Sequence, residues 1–324
     1  MTKTKVLEFD PAGIAAAASI LQGGGRVAFA TETVFGLGAD ARNGAAVASI
    51  FEAKERPAFN PLIVHLAQAA EARKYAAWSD QAETLARAFW PGPLTMVLPL
   101  RAGHGLSDLV TAGLPSVGLR VPAHPAAQAL LRAFGGPVAA PSANPSGKIS
   151  PTSAAHVLAG LDGRIEAVLD GGNCAVGVES TIIGFGAAGA PVLLRAGGVA
   201  REEIEAALGA PLLDRTAVEA GAITAPGQMQ SHYAPALPVR LGADAPRAGE
   251  LMLGFGAVAG DLTLSARGDL REAAANLFAH LHALDAMAKT RDPAPTGIAV
   301  APVPMQGLGA AINDRLARAA APRG

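Results

Sequence analysis

The sequence predicts an α/β (α+β) protein: a twisted, mixed β-sheet with flanking helices, followed by a smaller α/β unit. Three observations carry this reading. Short apolar runs alternate with segments of helical period, but without the strict strand–helix alternation of an all-parallel sheet. The stretch 211–238, containing "TAPGQMQSHYAPALP", has no clear period and three prolines after Ala225, so it reads as a connection between two units. Half of the 324 residues are hydrophobic and 16% are charged, which allows a sizeable core and, at this length, favours about two domains.

In chain order, residues 12–22 are the first expected helix and 26–30 the first strand. Thr31, Glu32 and Thr33 then follow the apolar run, with Gly36 and Gly38 close behind. That stretch fits either an ordinary polar turn or uncovered backbone offered to a ligand. A helix over 45–54 places Val47, Ile50, Phe51 and Lys54 at three- and four-residue spacing. "PLIVHL" (61–66) is a strand, and Pro91 and Pro93 stop a helix over 80–89. "LTMVLPL" (94–100), "VGLRV" (117–121) and "PVAA" (137–140) are strands, with a helix over 124–134 between the last two. A helix over 152–159 has a Thr or Ser cap. Strands "IEAVLD" (165–170), "STIIGF" (180–185) and "PVLLR" (191–195) precede a helix over 201–208. Beyond the connection come strands "PVRL", "ELMLGF" and "DLTLS". A long helix then carries Leu270, Ala274, Leu277, Phe278, Leu281, Leu284 and Met287 along one face. Strand "TGIAVAPV" and a helix over 306–319 finish the second unit. The expected division is 1–211, a connection over 212–237, and 238–324.

Composition narrows the function. Net charge is −1, whereas a protein that grips nucleic acid by its backbone usually carries a basic excess. Stable nucleic-acid binding is therefore not expected, and an aromatic content of 4% leaves few stacking platforms. No apolar run reaches the roughly 18 to 20 residues of a membrane span, and "MTKTKVLEFDPAG" lacks the apolar centre of a secretory signal. Cys174 is the only cysteine, which excludes an intrachain disulfide and a CxxC metal site and fits a cytoplasmic protein. There is no GxxxxGK[ST] phosphate loop and no GxSxG elbow.

Several stretches could carry chemistry. "KERPAFNPL" (54–62) sets Lys54, Arg56 and Asn60 in a loop stiffened by Pro57 and Pro61. Cations at a helix C-terminus suit the dipole, which explains one of them; two beside Asn60 suit a polyphosphate or carboxylate. His65 lies in a strand, where a packed imidazole is the common outcome. Arg120, inside "SVGLRVP", needs a partner: an acid of the fold or an anionic substrate. "APSANPSGKISPT" (140–152) offers Ser142, Asn144, Lys148 and Ser150; it fits a solvated loop or a phosphate-binding one. "GVESTII" (177–183) and "LLRAGGV" (193–199) again place polar groups and glycines beside strands. Together these stretches point to a small anionic substrate and a nucleotide bound without a P-loop.

These motifs resemble those of the YrdC-like family in its two-domain, threonylcarbamoyl-AMP synthase form. "TETVFGLGADA", "KERPAFNPLIVH", "WPGPLTMVL", "VGLRVPAHP", "APSANPSGKISPT", "GVESTII" and "LLRAGG" occur in the family's order over about residues 20 to 200, and "SHYAP" (231–235) matches the connection of the longer form. Phe35 stands where the family usually has Tyr. The resemblance implies a YrdC-like sheet domain with a C-terminal Rossmann-like α/β domain. It also implies a nucleotidyltransferase that makes threonylcarbamoyl-AMP and pyrophosphate from L-threonine, bicarbonate or CO2, and ATP, with Mg²⁺ arriving on the ATP. The product would pass to a tRNA threonylcarbamoyl-transferase complex for modification beside the anticodon. By resemblance, Thr33, His65, Arg120, Ser180 and the backbone at Ala140 hold threonine. Lys54, Arg56, Asn60, Ser116, Ser142, Ser150 and Arg195 hold ATP, with Lys54 and Arg56 acting on the transferred phosphate. Tyr233 reaches the nucleotide from the connection, which is expected to close over the cleft as a lid. Asn144 and Lys148 would be neighbours. The rival reading is an RNA-binding module of the same fold without adenylate synthesis.

Overall fold

The computed structural model describes residues 3–57, 60–186, 189–215 and 232–322. Most of the connection read from the sequence, residues 216–231, lies outside them, and with it the expected lid.

The first unit is built on an eleven-stranded mixed sheet in the order β1-β8-β2-β3-β7-β4-β6-β5-β9-β10-β11. Its strands are β1 (Lys5–Glu8), β2 (Val27–Phe29), β3 (Gly36–Asp40), β4 (Ile63–His65), β5 (Leu94–Pro99), β6 (Ser116–Arg120), β7 (Val138–Ala139), β8 (Ala167–Asp170), β9 (Thr181–Phe185), β10 (Pro191–Arg195) and β11 (Leu213–Asp214). The side-chain period of two sorts residues between layers. On β2, Val27 and Phe29 face helices α1 (Pro11–Gln22) and α5 (Pro125–Phe134), whereas Ala28 joins the main core with α2 (Gly44–Lys54) and α3 (Asp80–Phe89). The short helix α4 (Asp108–Thr111), with α6 (Ala154–Leu161) and α7 (Arg201–Leu208), completes the unit. Side-chain caps set the helix starts: Asn43 Oδ1 accepts from Ala45 and Ala46 N, and Ser153 Oγ from His156 N, so the cap of α6 is the serine.

Three strands were not anticipated: β1, β3 and β11, the last a two-residue strand parallel to β10 where the connection was expected. β1 is an edge strand parallel to β8. β3 starts where a glycine-rich turn was read, pairing Val27 with Gly38 and Phe29 with Gly36. The reason is packing: a Cβ on Gly38 would lie 2.8 Å from both the Phe29 ring and Val138. Gly38 makes room for a buried aromatic, and Gly36 alone faces the cleft.

The second unit is a parallel sheet, β12-β15-β13-β14, from β12 (Val239–Arg240), β13 (Glu250–Gly254), β14 (Leu262–Thr263) and β15 (Gly297–Val300). Helices α8 (Leu270–Thr290) and α9 (Gly309–Ala320) cover it. Asp269 caps α8 by accepting from Arg271 and Glu272 N. The core of this unit takes in Val34, Ile149 and Val178 from the first. Gly177, at φ 73°, lies so close to α8 that a Cβ would meet Ala274 O at 2.4 Å. The loops flanking the cleft are thus buried under the second unit.

Candidate active site

The principal cleft opens at the ends of β2, β4, β6 and β10, where the chain leaves the sheet. Thr31 Oγ1 donates to Val34 O at 2.6 Å, accepts from Thr33 N at 3.1 Å and stands 2.8 Å from Thr33 Oγ1. Thr31 therefore folds the turn back on itself and presents Thr33 to the cavity. Between them, Glu32 turns away: Oε1 accepts from Arg120 Nη2 at 2.7 Å and Oε2 from Ala123 N at 3.1 Å. Arg120, the buried arginine of β6, has its partner within the fold and also donates from Nε to Gly92 O.

His65 lies beside Arg120 across the β4–β6 register. Its Nδ1 is 3.3 Å from Ile63 O, and the ring meets Phe29 edge-on. Burial, and then the Arg120 charge, push its pKa down to about 3, so the imidazole is neutral at physiological pH. Ser180 Oγ pairs with Thr95 Oγ1 at 2.8 Å, and Arg195 Nη2 donates to Ser180 O at 2.8 Å. Ala140 N donates to Ile63 O, which fixes the backbone of the next wall.

The opposite wall is cationic. Lys54, 1% exposed at the end of α2, gives its ammonium to two carbonyls, Ser142 O at 2.6 Å and Asn144 O at 2.5 Å. Arg56 Nη2 donates to Pro61 O at 3.1 Å. Burial pulls the Arg56 pKa down to about 10, and burial followed by the Arg56 charge takes Lys54 well below the lysine range. Asn60 is buried, and among the described residues neither its side-chain amide oxygen nor its nitrogen has a hydrogen-bond partner. Glu179 receives Ser150 Oγ on Oε1 at 2.5 Å and Arg315 Nε on Oε2 at 2.9 Å. Burial pushes its pKa up, but the Arg315 and Arg195 charges and the Ser150 hydroxyl outweigh it, leaving the carboxyl below its ordinary range. Beyond residue 231 the chain returns to this wall: Ala234 N donates to Gly147 O at 2.9 Å, and Tyr233, at φ 62°, is fully buried with its neighbour His232. Burial takes His232 down to about 3, and its Nδ1 has no partner among the described residues.

Of the residues singled out in the sequence, Thr33, Arg56, His65, Arg120, Ala140, Ser142, Ser180, Arg195 and Tyr233 line this one cleft. Lys54, Asn60 and Ser150 stand behind its lining. Ser116 opens β6 and lines an adjoining cleft with Thr95, Val97 and Thr111, with Ile63 common to both. Lys148 is exposed, and Asn144 Nδ2 spends itself on Pro145 O and Lys148 O, shaping the loop. Sequence reasoning missed Glu179, His232 and Arg315. Glu179 repeats the acid–hydroxyl pairing of "TET" and was findable by that pattern; Arg315 looks like any helix arginine. Among the described residues no group of three or more His, Cys, Asp or Glu is arranged to hold a metal, and no helix is long and apolar enough to cross a membrane.

Comparison with known proteins places this cleft in context. Residues 19–197 match the family model described as telomere recombination, and residues 199–321 that of the threonylcarbamoyl-AMP synthase C-terminal domain. The chain is 47% identical over 240 residues to threonylcarbamoyl-AMP synthase of Bacillus subtilis, covering 74% of this chain and 69% of that one. It is 47% identical over 228 residues to the Pyrococcus abyssi enzyme of that name, covering 69% and 66% respectively. The crystal structure of P. abyssi Sua5 complexed with L-threonine matches 98% of both chains with a TM-score of 0.86 at 38% identity. E. coli YciO, at 22% identity and a TM-score of 0.53, shares the fold over 61% of this chain and 96% of its own.

Proposed function

The chain belongs to the threonylcarbamoyl-AMP synthase family, and from that premise we propose how its cleft divides the work. The enzyme forms L-threonylcarbamoyl-AMP and pyrophosphate from L-threonine, bicarbonate or CO2, and ATP. In our reading, Thr33, His65, Arg120, Ser180 and the Ala140 backbone take threonine. Arg120, already oriented by Glu32, presents its guanidinium to the substrate carboxylate. Neutral His65 accepts from or donates to the substrate hydroxyl without adding charge beside Arg120. The threonine amine attacks CO2 and loses a proton, giving a carbamate. A carbamate oxygen then attacks the α-phosphorus of ATP, and the bond to the β-phosphate bridge breaks as pyrophosphate leaves.

Arg56 and Arg195 face the triphosphate and stabilise the charge that grows on pyrophosphate. Lys54 braces the Ser142–Asn144 backbone behind them. Asn60 and Ser142 bind nucleotide oxygens. Ser150, whose hydrogen goes to Glu179, accepts from a hydroxyl or amino group of the nucleotide. Ser116 sits beside the adjoining cleft for the far end of ATP, and Tyr233 closes the nucleotide side. Both chemical steps reward orientation more than covalent assistance, which accounts for a cleft without an activated nucleophile. The carboxylates here are spent on Arg120, Arg315 and Ser150, so Mg²⁺ enters as part of the ATP substrate and is held by phosphate oxygens. The protein works in the cytoplasm and hands its labile product to a tRNA threonylcarbamoyl-transferase complex. The observation that carries this division is the convergence of Thr33, His65 and Arg120 opposite Arg56 and Arg195 in one cleft. Product analysis with each amino acid in turn tests it. Pyrophosphate release that needs both threonine and bicarbonate is expected; equal release with serine, or release without bicarbonate, overturns it.

A further inference from the structure

Among the contacts of the second unit with the cleft, one joins a buried cation to a carboxylate that lines it. Arg315 lies on α9 and is 0% exposed. Its Nε donates to Glu179 at 2.9 Å, and its Nη1 to Ala196 O at 2.7 Å and to the Asp314 carboxylate at 2.9 Å. Its Nη2 is buried without a hydrogen-bond partner among the described residues, and the guanidinium carbon lies 5.5 Å from the centre of the Tyr233 ring. A guanidinium is seldom buried with a donor left over, so its place needs a reason. Glu179 supplies one, because it lines the cleft and its other oxygen receives the Ser150 hydroxyl.

We propose that Arg315 is a positioning residue for the nucleotide: it fixes the Glu179 carboxylate, and through it the Ser150 hydroxyl, so that the C-terminal unit completes the ATP wall of the cleft. The loop that carries Glu179 is clamped by the same unit, through Val178 in its core and Gly177 against α8. His282 of α8 holds the other end, with Nε2 3.2 Å from Ser150 O. The side-chain hydrogen bonds of Thr33 and His65 stay within the first unit, although Val34, next to Thr33, enters the core of the second. Arg315 therefore acts directly on the ATP wall and reaches the threonine wall through the backbone that joins Glu179 to Ser180.

The inference rests on reading Ser150 as an ATP ligand. Steady-state pyrophosphate release by the full chain tests it with Arg315→Met, Arg315→Lys, Glu179→Gln, the Arg315→Met/Glu179→Gln double variant and Ser150→Ala. Arg315→Met should raise KM for ATP about tenfold, the size of one lost hydrogen-bond network contact, while KM for threonine stays within about twofold. The double variant should be no worse than the poorer single one, because both break one path. Arg315→Lys should fall between, since an ammonium keeps the charge but not the planar fork. The acid limb of kcat/KM for ATP should move to higher pH in Arg315→Met, because Glu179 then keeps Arg195 as its near cation, with Asp314, His232 and Tyr233 around it. A merely structural arginine would raise both KM values together, add its loss to that of Glu179→Gln and leave the acid limb in place; any of these overturns the proposal. Should Arg315→Met fail to fold, the same split in KM read on Arg315→Lys and Glu179→Gln decides. Ser150→Ala separates the two levels: an unchanged KM for ATP there removes the ligand reading and the proposal with it. A raised one, with KM unchanged in Arg315→Met, removes the proposal alone.

Discussion

The two walls of the cleft treat their buried charges in opposite ways. On the threonine side Arg120 is matched by Glu32 at 2.7 Å, the Thr31 and Thr33 hydroxyls satisfy each other, and Ser180 pairs with Thr95. On the ATP side Lys54 and Arg56 have, among the described residues, no carboxylate partner; they are held by carbonyl oxygens alone. A buried cation without a counter-ion is costly, and the depressed pKa values of both groups register that cost. In the proposed division of the cleft, one wall is finished before substrate arrives and takes a zwitterion by shape and hydrogen bonds; the other is electrostatically incomplete, and a polyanion would complete it. A chain of net charge −1 can still handle ATP, because Arg56 and Arg195 line the cleft with Lys54 behind them.

The strongest way to break this comparison is to remove one cation from each wall. Arg120→Met strands Glu32 as a buried carboxylate and should destabilise the protein by about 3–5 kcal/mol, seen as a lower midpoint in urea, besides abolishing threonine use. Arg56→Met removes a charge that had no acid partner. It should leave the unfolding free energy measured in urea within about 1 kcal/mol of the wild type while lowering kcat/KM for ATP about 100-fold. Equal destabilisation by the two substitutions would show that the walls are not different in kind.

Much of this was legible in the sequence, and its limits are physical. The helices over 80–89 and 201–208 coincide with α3 and α7 because their apolar spacing and stop signals are local. "TET" beside glycines could be read as a site, but not that Thr31 would fold the turn or that Glu32 would bind a residue 88 positions away. Gly38 was misread because the ring it accommodates, Phe29, meets it only across the β2–β3 pairing. Arg315 was invisible for the same reason. Its partner is 136 residues distant, and an arginine on a short amphipathic helix announces solvent, not a buried carboxylate. Residues that bind within one motif are readable; residues that act between motifs need the fold.

Acid should sharpen the contrast further, because the ATP wall depends on a histidine contact between the two units. His282 of α8 stacks on His156 of α6 with ring centres 4.0 Å apart, and its Nε2 meets Ser150 O. Burial, and then His156, push the His282 pKa down to about 4, and burial lowers His156 as well. In the unfolded chain both return to about 6.5. A folded pKa below the unfolded one means that the unfolded state binds more protons. The stabilisation is therefore complete above about pH 6.5 and is lost as pH falls from there towards 4, by up to about 1.4 kcal/mol per pH unit for one group. His65 contributes in the same direction but reaches down to about 3, so its neutral ring persists into more acid solution. His282→Gln keeps an N–H for Ser150 O and removes the titration. Its Tm should fall less steeply between pH 6.5 and 4 than that of the wild type, by close to one proton's worth of slope. At pH 5 the folded protein keeps His282 largely neutral, so KM for ATP should be alike in the two proteins there and the difference should appear in stability alone. An identical slope in the two proteins would mean that the interface does not sense acid and that the two walls share one pH dependence.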